Sequence, residues 1–265
     1  MKTAVVTGAG RGLGRNIARE LGARGYAVLC TDIDGAAAAE TARLVGAGAW
    51  SMAQDVRDPQ SHRRAAEEAA GRGALGVWVN NAGVLKTGLV WEIDEAEVRR
   101  HVDVNLLGVI WGSRAAVDAM SVDGGHIINV ASMSSLVPAP GLAVYAGTKH
   151  AVLGFSLSLQ GDLDGAGVPI RVSAPCPDAI DTDLVRENAA DHQSAILFSA
   201  KKLLAADEVA RRIAGLVDRP QLAPIYPRGR GVLAQVFRPF PGVGLRLLRQ
   251  FVRAGERNRR RQSPG

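Results

Sequence analysis

Cysteines, aromatic residues and long apolar runs are all scarce in this 265-residue sequence. Its two cysteines, Cys30 and Cys176, lie in apolar stretches without metal-ligand spacing, which indicates small core residues in a reducing compartment. No stretch approaches the roughly 18 uninterrupted apolar residues of a transmembrane helix, and the opening residues reach glycine too early for the apolar region of a signal peptide. We therefore expect a cytoplasmic protein.

Histidine is also infrequent, with five residues in the chain. His62, His101, His126 and His192 have no mutual spacing that suggests a metal site, so we expect none. His150 follows a lysine on a predicted helix and points about 100° away from it, which favours packing or a subunit contact over catalysis.

The net charge of +6 is unevenly distributed. Residues 228–265 contain ten arginines, no lysine and one acidic residue, Glu256, which makes this tail strongly basic and leaves the preceding chain mildly acidic. Charge alone gives non-specific affinity for nucleic acid, and no helix with a base-reading pattern accompanies it. We expect no specific nucleic-acid binding.

Short apolar runs alternate with longer helical patterns along most of the chain. This alternation predicts an α/β fold, a Rossmann-type doubly wound parallel sheet of about seven strands with helices on both faces. We expect one domain over residues 1–227, with a substrate loop at 183–200 and a C-terminal extension at 228–265. The predicted strands are Thr3–Thr7, Ala27–Thr31, Val77–Val79, His126–Val130, Ile170–Ala174 and Leu222–Tyr226, and the predicted helices are Leu13–Arg24, Gly35–Val45, Pro59–Arg72, Glu95–Met120, Val144–Leu163 and Ala206–Val217.

A glycine-rich loop follows the first predicted strand and leads into a helical pattern. Glycines allow a tight turn and close backbone approach to a pyrophosphate, while a helix N-terminus offers unpaired N–H groups and partial positive charge. The position between strand and helix favours dinucleotide binding over an ordinary turn. The residues expected to contact the cofactor here are Thr7, Gly8, Gly10, Arg11, Gly12, Leu13 and Gly14.

Asp32, at the end of the second predicted strand, favours NAD over NADP. A carboxylate there accepts hydrogen bonds from the adenosine ribose and repels a 2′-phosphate. Ile33 is expected beside it at the cofactor, whereas Arg11 would attract that phosphate, so an NADP-dependent reading stays open. An alternative role for Asp32 is a helix N-cap shared with Asp34.

Several further motifs follow in order, and together they resemble the short-chain dehydrogenase/reductase family over roughly residues 3–227. The loop has the spacing Thr-Gly-x-x-x-Gly-x-Gly, Asn-Asn-Ala-Gly follows a strand at residues 80–83, and Tyr145-Ala-Gly-Thr-Lys149 lies 13 residues beyond Ser132. Asn105 lies in a Val-Asn-Leu-Leu-Gly string between them. A single such string is weak evidence, but their joint order and spacing are specific.

The resemblance implies a catalytic set of Asn105, Ser132, Tyr145 and Lys149. Tyr145 would exchange a proton with the substrate oxygen while hydride passes between a carbinol carbon and the nicotinamide. Lys149, one helical turn on, would lower the pKa of Tyr145. Ser132 would polarise the substrate oxygen and Asn105 would hold a water linked to Lys149, although a helix-interior Asn bonded to a backbone carbonyl is the alternative for Asn105.

The resemblance also implies further cofactor contacts. Asp55 and Val56 would lie at the adenine and residues 81–83 beside the adenosine, although both patterns are equally typical of structural turns. Asp178 stands where the family usually has glycine, which leaves the local backbone path open. The remaining expected contacts are Asn81, Ala82, Gly83, Tyr145, Lys149, Pro177, Ile180 and Thr182.

The substrate loop carries five apolar residues that are typical either of a lid over an apolar alcohol or of a buried helix face: Leu184, Val185, Ile196, Leu197 and Phe198. A steroid-like or lipid-like secondary alcohol or ketone is the resulting substrate hypothesis. As a family resemblance implies, we expect a homodimer or homotetramer.

The tail has a basic amphipathic pattern, with apolar residues on one helical face and arginines on another. This pattern is typical of docking on an anionic membrane surface, and equally of packing on the body or on a neighbouring subunit. The apolar positions are Val243, Leu247, Leu248, Phe251 and Val252. Beside the NAD-dependent enzyme, two alternatives remain: an NADP-dependent ketoreductase and a non-catalytic NAD-binding regulator or membrane-tethered scaffold.

Overall fold

The computed structural model describes residues 1–237 and 241–262, so residues 238–240 and 263–265 of the predicted extension lie outside the described residues. Six parallel strands form one sheet in the order β3-β2-β1-β4-β5-β6, and a second pair, β7 and β8, lies apart from it. The strands are β1 (Lys2–Thr7), β2 (Ala27–Asp32), β3 (Trp50–Ala53), β4 (Ala74–Asn80), β5 (Gly125–Asn129), β6 (Ile170–Ser173), β7 (Cys176–Pro177) and β8 (Ile225–Tyr226).

Helices cover both faces of this sheet, which is why its strands read as nearly continuous apolar runs. Ile17 and Ile213 belong to the core on one face, and Ala65 and Met120 to the core on the other. The helices are α1 (Gly12–Ala23), α2 (Gly35–Val45), α3 (Pro59–Ala70), α4 (Glu95–Val102), α5 (Gly108–Met120), α6 (Ala143–Ala166), α7 (Asp183–Arg186), α8 (Ala206–Ala214), α9 (Arg228–Phe237) and α10 (Pro241–Gln262).

The predicted fold class is confirmed, and three details differ from the predicted elements. The short strand β3 was absent from the prediction, since Trp-Ser-Met-Ala is too short to show a pattern. The predicted helix over residues 95–120 is interrupted by a π-helical segment at Asp103–Leu107. The predicted last strand is reduced to β8, which pairs with β7 and not with the six-stranded sheet.

The order of the strands positions the site. From β1 the chain adds β2 and β3 toward one edge of the sheet, and from β4 it adds β5 and β6 toward the opposite edge. The direction of strand addition therefore reverses between the neighbours β1 and β4. In parallel sheets the crevice at the carboxyl ends of such a pair is where ligands bind. The loops that follow β1 and β4 therefore meet there.

Both cysteines are fully buried, as predicted, and neither forms a disulfide. Burial raises the pKa of each thiol to about 12, so both are protonated at neutral pH. Over the described ranges, none of the helices combines the length and the apolar character required to cross a bilayer.

Candidate active site

One cavity of about 630 Å³ opens at the carboxyl ends of β1 and β4. Three of the four predicted catalytic residues, Ser132, Tyr145 and Lys149, line it. All but two of the predicted cofactor residues line it as well. The exceptions, Thr7 and Gly10, lie behind the lining residues.

Helix α6 presents Tyr145 to the cavity, and the loop after β5 presents Ser132. The Ser132 side chain accepts a hydrogen bond from the Ser134 backbone N–H (3.1 Å), which fixes its rotamer at the start of a short 3-10 turn. Burial raises the pKa of Tyr145 to about 12, and a hydrogen bond between Tyr145 and Ser132 acts in the opposite direction. The Ser132 hydroxyl therefore lies beside the Tyr145 phenol in the cavity.

Lys149 lies one turn further along α6 and is 5% exposed. Its Nζ donates to the backbone carbonyl of Val130 (2.7 Å) and lies 5.8 Å from the centroid of the Tyr145 ring. Burial lowers the pKa of Lys149 to about 8, while the neighbouring Cys176 raises it. Burial dominates the pKa of Tyr145, so a lowering of that pKa by the Lys149 ammonium stays a prediction.

Asn105 lies in the π-helical segment and is fully buried. Its Oδ1 accepts from the Val84 N–H (2.8 Å), and its Nδ2 donates to the Val84 carbonyl (2.9 Å) and to Thr148 Oγ1 (3.3 Å). Thr148 in turn donates to the Tyr145 carbonyl (2.8 Å). These contacts connect the loop after β4 with the first turns of α6. The carbonyl that Asn105 reaches belongs to that loop and not to its own helix.

The glycine loop between β1 and α1 leaves no room for side chains. Gly8 and Gly12 have φ values of +62° and +55°, which L-residues rarely adopt. A Cβ on Gly14 would overlap the Gly8 carbonyl, and one on Gly10 would lie 2.8 Å from Asp32 Oδ2. The N-terminus of α1 has neither a side-chain cap nor an acidic residue in its first turn. These free N–H groups and the open approach fit a dinucleotide pyrophosphate.

The loops after β1 and β4 are joined through the half-buried side-chain amide of Asn81 and the buried hydroxyl of Thr7. Asn81 Nδ2 donates to the carbonyls of Thr7 and Gly8, each at 3.0 Å. Thr7 Oγ1 accepts from the backbone N–H groups of Asn81 and Ala82, each at 3.1 Å. Thr7 and Asn81 therefore shape the loop, and their side chains are engaged with backbone atoms.

Asp32 is the last residue of β2 and lines the cavity at the end away from Tyr145. Its Oδ2 accepts from the Gly10 N–H (2.8 Å) and its Oδ1 from the Asp34 N–H (3.1 Å). Asp34 is the N-cap of α2, so the alternative of an N-cap role for Asp32 is wrong. Ile33 beside it is 71% exposed at the cavity rim.

Two arginines line the same end, and each has a carboxylate partner. Arg11 donates to Glu187 (2.7 Å) and lies 3.8 Å from Asp183, and these acids raise its pKa. Arg57 forms a close pair with Asp55 (2.6 Å), which holds the pKa of that carboxyl below its usual range. Neither guanidinium is left without an anionic partner.

At the end lined by the substrate loop, opposite Asp32, the cavity walls are mainly apolar. Four of the five apolar residues noted in the substrate loop line it, and Phe198 is buried outside it. Leu184, Ile196 and Leu197 pack with Leu85 and Leu142 beside Tyr145. Most of this segment therefore forms a cavity wall.

Residues of the tail that the sequence did not assign to the site also line the cavity. They are Arg230 from α9 and Leu247, Leu248 and Phe251 from α10. Arg230 pairs with Asp178 (2.8 Å), the residue that departs from the family pattern. In the sequence, the unusual Asp178 and the apolar face of the tail both indicated that something was bound or packed there. Neither feature showed that Asp178 pairs with Arg230 or that the apolar face lines the cavity.

Comparison with known proteins agrees with this geometry. A family profile for the short chain dehydrogenases matches residues 2–193. The chain is 37% identical over 216 residues to 1-deoxy-11-beta-hydroxypentalenate dehydrogenase of Streptomyces avermitilis, with 78% of each chain covered. It is 33% identical over 221 residues to the 3-oxoacyl-[acyl-carrier-protein] reductase FabG of Escherichia coli, covering 82% of this chain and 90% of that one.

Two solved structures have the same fold. A short chain dehydrogenase/reductase from Burkholderia phymatum in complex with NAD superposes with a TM-score of 0.81 at 27% identity, covering 88% of this chain and 92% of that one. A 3-ketoacyl-(acyl-carrier-protein) reductase from Brucella melitensis complexed with NADH gives a TM-score of 0.78 at 30% identity, with 86% and 98% covered.

Proposed function

This chain belongs to the short-chain dehydrogenase family, and from that premise we propose that it interconverts a secondary alcohol and a ketone with NAD(H). The catalytic groups are Tyr145, Lys149 and Ser132, with Asn105 positioning them. The observation that carries the proposal is the cavity in which Ser132, Tyr145 and Lys149 lie together with the glycine loop.

The proposed reaction divides the work between cofactor and side chains. The bound nicotinamide supplies the hydride donor or acceptor. The Ser132 hydroxyl holds the substrate oxygen, and the Tyr145 hydroxyl gives it a proton during ketone reduction or takes one during alcohol oxidation. With a pKa of about 12, Tyr145 is protonated at neutral pH and can act as an acid.

Lys149 would support the reverse direction. Oxidation requires a phenolate at Tyr145, and an ammonium 5.8 Å from the ring favours that anion. With a pKa of about 8, Lys149 also exchanges its own proton within the physiological range. The contacts of Asn105 support a positioning role, and a water held by Asn105 remains a prediction from the family resemblance.

We favour NAD over NADP because the anionic group at the adenosine end is Asp32 and the nearby cations are paired. Arg11 is engaged by Glu187, and Arg57 by Asp55. An NADP-dependent ketoreductase would need one of these arginines to exchange its partner for a phosphate. Titration of the protein with NADH and NADPH should give at least about tenfold tighter binding of NADH, the size expected for one unfavourable charge contact. Tighter binding of NADPH would reverse the assignment.

The apolar walls of the substrate end support an apolar secondary alcohol or ketone. A cytoplasmic homodimer or homotetramer remains the expected form, as in the family. Membrane docking by the tail has less support, because Leu247, Leu248 and Phe251, which would insert into lipid, line the cavity. For the same reason a membrane-tethered scaffold is the weaker alternative.

A substrate screen tests the proposed activity. The full-length protein is assayed by NADH absorbance with apolar ketones and polar polyol-derived ketones, and with the corresponding alcohols and NAD⁺. Turnover of apolar ketones or alcohols is expected. If the protein binds NADH but turns over none of these compounds, the non-catalytic regulator is the better description.

A further inference from the structure

Helix α10 presents one face to the body of the protein. Its half-buried or buried positions recur every three or four residues, which places them on one side of a helix. The exposed positions Arg246, Arg249, Arg253 and Arg257 fall on the opposite side. The inward positions are Gly244, Leu247, Leu248, Phe251, Gly255 and Asn258.

The second half of α10 is fixed to the substrate loop by contacts to backbone atoms. Gly255 lies so close to Ala195 that a Cβ would overlap its carbonyl. Asn258 Nδ2 donates to the Phe198 carbonyl (3.1 Å) and to the Ala200 carbonyl (3.2 Å). Arg259 donates to the Asp191 carbonyl (2.7 Å). This half therefore sets where the helix lies.

Arg230 joins the tail to the loop after β7. Its guanidinium pairs with Asp178 (2.8 Å), donates to Ser199 Oγ (2.8 Å) and lies 5.8 Å from the Phe251 ring. Asp178 is 14% exposed and Arg230 30%, so the pair is partly shielded from water. The unusual Asp178 thus has a partner that offsets its charge, and that partner also contacts Phe251 of α10.

The first half of α10 differs because its inward side chains line the cavity. Leu247, Leu248 and Phe251 share that cavity with Ser132 and Tyr145. Apolar surface left facing water costs roughly 25 cal/mol per Å², so a ligand that covers these side chains is favoured. Among the described residues of this wall, Arg230 is the cation, and it is already paired with Asp178.

We propose that Leu247, Leu248 and Phe251 form the distal wall of the substrate site and select substrates by size and apolarity. The substrate has its hydroxyl or keto carbon at Tyr145 and an uncharged carbon skeleton, larger than a single ring, that reaches α10. This inference rests on the proposed oxidoreductase activity and extends it. It makes the tail a specificity element of the same site.

The experiment compares two leucines of the same helix in the full-length protein. Leu247 lines the cavity, whereas Leu245 is 48% exposed and does not line it. Ketone reduction with NADH is measured for wild type, Leu247→Ala and Leu245→Ala with cyclohexanone and with trans-1-decalone. Leu247→Met, which conserves volume, serves as the rescue variant.

The expected result is specific to the larger ketone. Leu247→Ala should raise KM for trans-1-decalone about tenfold, the effect of losing a few methylene contacts, and change KM for cyclohexanone less than about twofold. Leu245→Ala should behave as wild type with both ketones, and Leu247→Met should restore most of the affinity for trans-1-decalone that Leu247→Ala loses. Equal behaviour of Leu247→Ala and Leu245→Ala with both ketones would overturn the inference.

A binding measurement separates this inference from the proposed activity. Calorimetric titration of the NADH-loaded variants with trans-1-decalone needs no turnover. Weaker binding by Leu247→Ala than by Leu245→Ala supports the wall even if no ketone is reduced, and in that case only the proposed activity fails. Absence of binding by wild type, or identical binding by both alanine variants, rejects the wall.

Discussion

Backbone atoms build the cofactor end of the cavity, whereas side chains build the substrate end. At the first end, Asn81 joins the loops after β1 and β4, and a Cβ at Gly14 has no space. At the second, an ion pair between Arg230 and Asp178 and a set of leucines hold the walls. Backbone geometry tolerates few sequences, while a side-chain wall can be rebuilt with other residues of similar size. Four experiments test this contrast.

The largest expected effect concerns the chemical groups between the two ends. Tyr145→Phe removes the hydroxyl that exchanges a proton with the substrate, and general acid–base catalysis of this kind contributes roughly 10²–10⁴-fold in rate. We expect kcat to fall by about that factor while NADH affinity changes less than about threefold. Steady-state kinetics and NADH titration measure the two quantities. Retention of wild-type kcat would remove Tyr145 from the mechanism.

A smaller effect concerns Lys149, whose pKa is lowered to about 8 by burial. Since the unfolded chain holds this proton up to its ordinary pKa of about 10.4, the unfolded state binds more protons between these values, and stability rises with pH there. Relative to Lys149→Met, the free energy of unfolding of the wild type should rise by about 3 kcal/mol between pH 8 and pH 10.4. Below pH 8 the difference in unfolding free energy between the two proteins should not change with pH.

Urea denaturation of both ligand-free proteins at several pH values between 6.5 and 10.5 checks the Lys149 prediction. The unpaired Val130 carbonyl in Lys149→Met adds a penalty that does not vary with pH, so only the slope is diagnostic. A pH-independent difference across the whole range would show that this lysine is not desolvated.

Adding a single methyl group by a glycine-to-alanine substitution tests how tightly the backbone is packed at the cofactor end. Gly14→Ala places a Cβ against the Gly8 carbonyl and should cost about 2–3 kcal/mol of stability as an overpacking substitution. Gly161→Ala is the matched control, because this exposed helical position has open space where the new methyl group would lie, and alanine there should add about 0.5–1 kcal/mol. Chemical denaturation measures both. Equal tolerance of the two substitutions would contradict a backbone-built cofactor end.

The smallest expected effect concerns the ion pair at the substrate end. A double-mutant cycle with Asp178→Ala and Arg230→Ala should give a coupling free energy of about 1 kcal/mol, as for a partly exposed pair. Denaturation midpoints of the four proteins at low and high salt provide the measurement, and the coupling should weaken as salt screens it. Strict additivity of the two single substitutions would mean that the pair contributes no coupling free energy to the substrate end.

The sequence predicted which residues gather at the cofactor end, because local spacing determines where they lie. A strand, a glycine loop and a helix are consecutive in the chain, and Tyr145 and Lys149 share one helix. The roles of individual groups were harder to predict, since the pKa of Tyr145 depends on how deeply its ring is buried. The contacts of Asn105 likewise depend on where the loop carrying Val84 lies.

The substrate end could not be predicted to the same depth, because it joins segments far apart in the chain. An amphipathic pattern shows that α10 has an apolar face but not what that face meets. Asp178 was visible as a departure from the family pattern, yet its partner Arg230 is one of ten arginines in the tail. From the pattern alone, Leu247 and Phe251 could equally contact a membrane or pack against the rest of the protein.

The way in which α10 packs on the substrate loop has a consequence for protein engineering. Because Gly255, Asn258 and Arg259 meet mainly backbone carbonyls of the substrate loop, the helix can be docked independently of the residues that face the ligand. Libraries randomised at Leu247, Leu248 and Phe251 could then re-tune the enzyme for new compounds without disturbing the sheet. Evolution would have the same freedom to diversify relatives from one scaffold.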